Sequence, residues 1–180
     1  MRSSLSLRTR LVAGVGAAVL AFGVAGAAPA TATGCQGSAC GVNDDYVVTT
    51  DHLTEEAATT AALAALAAAE AAGEHVSVAV VDRDGNAIVQ LRGDGSGPHT
   101  YESARRKAYT AASFNAPTSV LVGRLEQNPT LADIPGTLFL AGGLPIVYRN
   151  TPIAGIGVAG APSGLLDEQF AQAGIDAISH

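Results

Sequence analysis

Most of the side chains able to do chemistry lie between residues 99 and 114: His99, Tyr101, Ser103, the run Arg105-Arg106-Lys107, Tyr109, Thr110 and Phe114. Read as one helix, TYESARRKAYTAASF brings Ser103, Lys107, Thr110 and Phe114 to one side, at spacings of four, three and four. Consecutive helical positions point about 100° apart, so the three basic residues cannot all serve one site. They suit either a solvated face or intersubunit salt bridge, or the pairing of one or two of them with carboxylates of a ligand. The histidines, His52, His75, His99 and His180, are scattered among polar neighbours without metal-ligand spacing. His99 stands out among them because it lies between a Gly-rich loop and this helix. There is no G-x-S-x-G, no H-E-x-x-H and no phosphate loop, which leaves general hydrolase and nucleotide chemistry without support.

The elements that must position these residues can be read from capping and periodicity. Thr54 caps a first helix with Glu55 and Glu56 in its first turn, an apolar stripe marked by Leu63 and Leu66, and Gly73 as its stop. HVSVAVVD and AIVQLR, joined through Asp84-Gly85-Asn86, form a β-hairpin signature. The loop Gly93-Asp94-Gly95-Ser96-Gly97-Pro98 follows, a solvent loop or one whose glycines let the backbone lie near a ligand. The second helix, over 100–114, carries a small-residue face of Ala104, Ala108, Ala111 and Ala112 and ends before Pro117. Thr118 caps a short third helix reaching about Glu126, and the stretch GTLFLAGGLPIVYRNTPIAGIGVAGAPSG holds three apolar runs, read as three more strands. In the last of these Gly155 and Gly157 share a face, implying something packed very near the backbone, most often a helix. Ser163 caps a closing helix with Leu166, Phe170, Ala173 and Ala177 inward. The expectation is an α+β domain, an antiparallel five-stranded sheet covered by helices.

The start of the chain has a different character. MRSSLSLRTR runs into LVAGVGAAVLAFGVAGAA and then Ala30-Thr31-Ala32, the layout of a signal peptide over residues 1–32 with cleavage near Thr33. Arg8 and Arg10 are separated by Thr9 and miss the strict twin-arginine pair. Ala32 stands where a lipoprotein needs a leucine-like residue before Cys35. Residues 33–50 read as a flexible leader, with Cys35 and Cys40 pairing locally in an oxidising exterior or remaining as thiols. Loss of the first 32 residues leaves seven basic against sixteen acidic side chains, a formal charge of −9. That balance repels nucleic acid and anionic lipid. Nothing after residue 32 is apolar for long enough to span a membrane, and residues 51–180 suit one domain.

Taken in order, SVAVVDRDGN, the Gly-rich loop, YESARRKAYTAASFNAPTS, FLAGGLPIV and AGIGVAGAPSG resemble the GlcG/HbpS family, also called the heme-degrading domain family, from about Leu53 to Ile178. The signal peptide and the segment GDGSGPHTYESARRKAYTAASFNAPTS are most similar to its secreted HbpS branch. The resemblance implies a profilin-like or roadblock-like fold, a large homo-oligomer such as an octamer, and noncovalent heme. It further implies slow heme breakdown with capture of iron, and partnership with a membrane sensor kinase responding to redox stress. Any enzymatic activity expected on these grounds is at most slow, peroxide-dependent heme degradation.

In that branch a helix threonine is linked to heme coordination, and the matching segment KAYTAASF makes Thr110 the candidate iron ligand. An alcohol is a weak ligand for ferric iron, so Thr110 needs support. Phe114 would line the porphyrin face, Lys107 or Arg106 would meet a propionate, and Tyr101 or Tyr109 would add aromatic contact. The other reading of Thr110 is a hydroxyl bonded to the carbonyl one turn back. Surface iron capture is often ascribed to D/E-x-x-E pairs, and this chain has none. Two other classes stay open: a small-molecule binding module without redox chemistry, and a structural secreted oligomer.

Overall fold

The computed structural model describes residues 41–179; the expected signal peptide and the Cys35–Cys40 pair lie outside the described residues. The chain divides into two units, residues 1–47 and 48–180. Within the described part of the first is a 3₁₀ turn, Asp44–Tyr46, where Asn43 Oδ1 accepts from the Asp45 amide. All other elements belong to the second.

Helix α1, Glu55–Ala71, starts where the Thr54 hydroxyl accepts from the Ala57 amide at 3.2 Å, and the chain leaves it through Gly73 at φ +78°. Its inward side is alanine: Ala58, Ala61, Ala62, Ala65 and Ala69. Of the two leucines expected to mark the inward stripe, Leu66 packs against the core while Leu63 is 53% exposed, so the buried face is centred on the alanines. Close approach decides this, because a Cβ at Gly174 on the last helix would stand 2.6 Å from the Ala61 carbonyl oxygen. Only small residues fit between two helices at that distance.

Strands β1 (Ser77–Asp82) and β2 (Ala87–Arg92) form the expected hairpin. Its turn is held by Asp82 Oδ1, which accepts from the amides of Asp84 and Asn86 at 2.9 and 2.8 Å. Strands β3 (Gly143–Tyr148) and β4 (Thr151–Ala159) form a second, closed by Arg149 and Asn150, both at positive φ. Such mirror-type turns match the twist of the strands they join. The sheet is antiparallel throughout, in the order β2-β1-β4-β3.

Among the described residues the sheet thus has four strands, not five. Thr137–Leu140, expected as a strand, is irregular because helix side chains take the backbone groups a ladder would use. The Leu138 amide donates to Thr110 Oγ1, the Thr137 carbonyl accepts from the Arg106 guanidinium, and the Leu140 amide turns back to the Leu138 carbonyl.

Helix α2, Thr100–Phe114, covers one face of the sheet with Ala104, Ala108 and Ala112 against Ala79, Val81 and Ala159. As the paired glycines imply, it lies directly on β4: a Cβ at Gly155 or Gly157 would collide with the carbonyl of Ala108 or Ala104. The other face presents Val78, Val80, Ile156 and Val158 to α1 and to α4, Gly164–Asp176. Ser163 Oγ caps α4 through the Leu166 amide. The buried residues of α4 are Asp167, Phe170, Ala171 and Gly174; Phe170 and Leu166 pack in the core as expected, whereas Ala177 is exposed. Short helix α3, Thr118–Val122, continues as a 3₁₀ turn. Thr118 does not cap it; its hydroxyl accepts from the Gly143 amide at 2.8 Å, tying α3 to the start of β3. No helix among the described residues is long and apolar enough to cross a membrane.

Candidate functional site

The beginning of α2 is fixed by a buried row of hydroxyls. Thr100 Oγ1 donates to the Gly97 carbonyl at 2.7 Å and stands 2.8 Å from Ser77 Oγ on β1, which in turn is 3.3 Å from Ser96 Oγ. The Gly-rich loop is thereby held to the sheet, and His99, the residue before the helix, is set at its end.

One turn and two turns further on, Ser103 and Lys107 continue the same side of α2. Across from them run Ala159 to Pro162, the loop from β4 to α4, with Leu140 on a third side. Together they enclose a cleft of about 280 Å³, reached also by Gly164 and Asp167. Its floor is an ion pair: Lys107 Nζ donates to Asp167 Oδ2 at 2.7 Å and to the Val158 carbonyl at 2.9 Å, and both residues are almost wholly buried. Asp167 Oδ1 also accepts from the Ala161 amide at 3.0 Å. Burial pushes the Asp167 carboxyl above the usual range, even though the Lys107 ammonium and the loop amides pull it down. The pair needs Gly142 beside it, where a Cβ would stand 2.7 Å from Nζ and 2.8 Å from the Asp167 Cβ. The neighbouring acid, Glu168, accepts from Ser119 Oγ at 2.7 Å and from the Ser119 and Gly142 amides, which fixes the same corner from outside.

The residues singled out from the sequence fall in three places. Lys107 lies at the floor of the cleft and is already paired. Thr110 is fully buried under the 137–140 segment, donating to the Arg106 carbonyl and accepting from the Leu138 amide, each at 2.7 Å. The bond to the carbonyl one turn back is therefore present. Arg106 and Phe114 share this side: Arg106 donates to Thr137, and Phe114 meets Phe139 edge-on with ring centroids 5.4 Å apart. Tyr101 is on the outer surface, 43% exposed, and its carbonyl accepts from Gln90 Nε2. Tyr109 packs over Gly85 and Gly136. The single stripe expected on α2 is divided, because the 137–140 segment covers one half of it and leaves the other to the cleft.

Neither Asp167 nor the loop over 159–164 stands out in the sequence as part of a site. A signal was present: Lys107 has Ala104 and Ala111 one turn to either side, surroundings poor for an unpaired ammonium, which calls for an acid somewhere else in the chain.

Residues 53–176 match the family model described as haem degrading protein HbpS-like. The chain belongs to this HbpS-like family. A crystal structure of a Streptomyces reticuli HbpS double mutant, two glutamates replaced by aspartate, is 62% identical, covering 78% of this chain and 96% of that one with a TM-score of 0.77. A crystal structure of HbpS is 63% identical over 78% and 99% of the two chains, also at TM-score 0.77. A crystal structure of PduOC in complex with heme is 24% identical over 71% and 96%, with a TM-score of 0.66, and shares the fold. No curated protein matches.

The donors present fit heme in part. The Thr110 hydroxyl is enclosed and has its hydrogen bonds made, so it does not fit as an iron ligand in this conformation. The cleft suits better, offering an imidazole, a hydroxyl and the apolar walls of Leu140, Ala161 and Pro162. At about 280 Å³ it is at the lower end of small-molecule sites. A porphyrin is larger and would be only partly enclosed by one chain.

Proposed function

We propose that this HbpS-like protein is a secreted heme-binding homo-oligomer that degrades heme slowly, holds the released iron and acts as an accessory redox sensor for a membrane sensor kinase. The observation that carries this reading is the match to a haem degrading family over residues 53–176, which takes in every strand and α-helix of residues 48–180. The secreted part of the proposal rests on the signal-peptide layout of residues 1–32, and the sensing part on the resemblance to the HbpS branch, to whose structures this chain is 62 and 63% identical. Assembly, an octamer by resemblance, has support in the exposed apolar side chains Val120, Leu140, Val147 and Leu165. The acidic balance argues against nucleic acid as a partner.

When bound, heme would supply the redox chemistry, through peroxide at ferric iron. The chain's own residues bind and orient. Leu140, Ala161 and Pro162 offer apolar surface to a ring, and the Lys107–Asp167 pair keeps the cleft floor closed and nearly neutral. Arg106, half-buried and with guanidinium donors beyond the one given to Thr137, is the candidate for a propionate. Among the described residues, no carboxylic acid or second histidine lines the cleft beside His99 except the paired Asp167. With His99 as the one unpaired acid–base group in the cleft lining, the chain offers little general acid–base help to heme chemistry, which would favour slow degradation.

Hemin titration of the purified protein, with absorption and mass measured on the same samples, tests the proposal. It predicts a saturable Soret shift and an assembly larger than a dimer. Hemin bound no better than by an unrelated acidic protein would overturn it in favour of a binding module without redox chemistry.

A further inference from the structure

The cleft at the start of α2 has mostly hydrogen-bond donors left to offer. Lys107 Nζ carries three hydrogens and gives one to Asp167 Oδ2 and one to the Val158 carbonyl, so a third remains on a side chain that is 2% exposed and lines the cleft. Both Asp167 oxygens are already engaged, by Nζ and by the Ala161 amide. Across the cleft, α4 begins at Gly164. The Leu166 and Asp167 amides turn back to Ser163, while the Gly164 amide precedes them and has no partner within the helix. The Ser103 hydroxyl and the His99 imidazole stand on the α2 side, and His99 makes no cap bond to the helix it precedes. A ligand that meets these groups must accept hydrogen bonds.

Charge and shape select among acceptors. Asp167 is matched by Lys107 at 2.7 Å, so the floor sets no net charge against an anion, and the positive end of α4 opens on the same space. The acidic residues elsewhere in the chain act weakly here, because charges beyond about 10 Å are largely screened at ordinary salt. Leu140, 51% exposed, forms an apolar rim with Ala161 and Pro162, which an inorganic oxyanion would leave unused. The volume, about 280 Å³, suits a molecule of a few carbon atoms and is far too small for a porphyrin. We propose that this cleft binds a short-chain carboxylate. Its head takes the third Lys107 hydrogen, the Gly164 amide and the Ser103 hydroxyl, with His99 donating at the mouth, and its tail lies on Leu140, Ala161 and Pro162. The ligand is a free small acid, and its binding does not rest on the heme reading.

The test is titration of the purified, heme-free protein with butyrate, acetate and inorganic phosphate at constant ionic strength, followed by amide NMR shifts and calorimetry. Butyrate should saturate, with shifts centred on Ser103, Ala161 and Gly164, and phosphate should not. Acetate, two methylenes shorter, should bind about fivefold or more weakly, and Leu140→Ala should remove that preference. Ser103→Ala and His99→Ala leave the Lys107–Asp167 pair in place, should melt close to the wild type, and should each weaken butyrate about fivefold or more. The assignment is wrong if butyrate gives no saturable shift at those residues, if both variants keep wild-type affinity, or if phosphate binds as tightly as butyrate. Hemin binding can succeed or fail without altering any of these outcomes.

Discussion

Lys107 and Asp167 meet at 2.7 Å in the interior, and either one alone would be a buried, uncompensated charge. Lys107→Met should cost about 3 kcal/mol at neutral pH, measured by urea unfolding. The loss should shrink on acidification. Asp167 already has its folded value raised by burial, and removing the cation takes away what lowers it. Its folded carboxyl then holds a proton more tightly than an unfolded one near pKa 3.9, so the variant gains stability as the pH falls through the folded value. Equal losses at pH 5 and pH 7.5 would contradict this. Thr110 makes a separate case. Thr110→Val keeps the shape but leaves the Leu138 amide buried without its acceptor, at a cost of about 1–3 kcal/mol and with faster hydrogen exchange around residues 137–140. At this scale the sequence identified which residues are reactive but not which of them face one another. Lys107 was legible as a charged residue among alanines; its partner, 60 positions away, was not.

Elements were more readable than sites, because a helix or hairpin is written in local chemistry. Thr54, the Asp84-Gly85-Asn86 turn and Ser163 mark boundaries that the structure keeps, and Gly155 with Gly157 announced a close helix before any contact was known. The element that failed, Thr137–Leu140, has strand-like composition but loses its backbone groups to Thr110 and Arg106, a competition no local pattern reveals. Leu66, Leu166 and Phe170 lie on the core side that periodicity predicts, but Leu63 and Ala177 do not, because spacing between two helices is set by what fits, and alanine and glycine fit. A paired measurement separates space from backbone strain. Gly157→Ala drives a Cβ into the Ala104 carbonyl and should cost about 3 kcal/mol or more, whereas Gly73→Ala meets nothing within 4 Å and should cost only the positive-φ strain, about 1–2 kcal/mol. Comparable losses in thermal melts would show that α2 can lift from the sheet more freely than its contacts indicate.

Seen as a whole, residues 48–180 place their reactive side chains at one end of the sheet, where β3 begins, β4 ends and α2 starts. The Lys107–Asp167 pair connects the helix on one face with a helix on the other at that end, so the cleft cannot widen without separating two buried charges. Ligand entry should accordingly leave the backbone of α2 and α4 largely in place. The edges of the sheet, β2 and β3, are its remaining unpaired borders, and half-exposed Val147 and Tyr148 lie on the second.

The alanine interior also has a calorimetric consequence. Twelve of the buried core positions, among them Ala61, Ala65, Ala104, Ala108 and Ala171, are alanines that carry a single methyl group. Unfolding therefore uncovers little apolar area for each residue released, and apolar hydration is what gives unfolding its positive heat capacity. Scanning calorimetry should return a heat-capacity increment at or below about 12 cal/mol/K per residue. A stability curve that flat changes slowly with temperature, so the protein should lose little of its stability on cooling from its optimum.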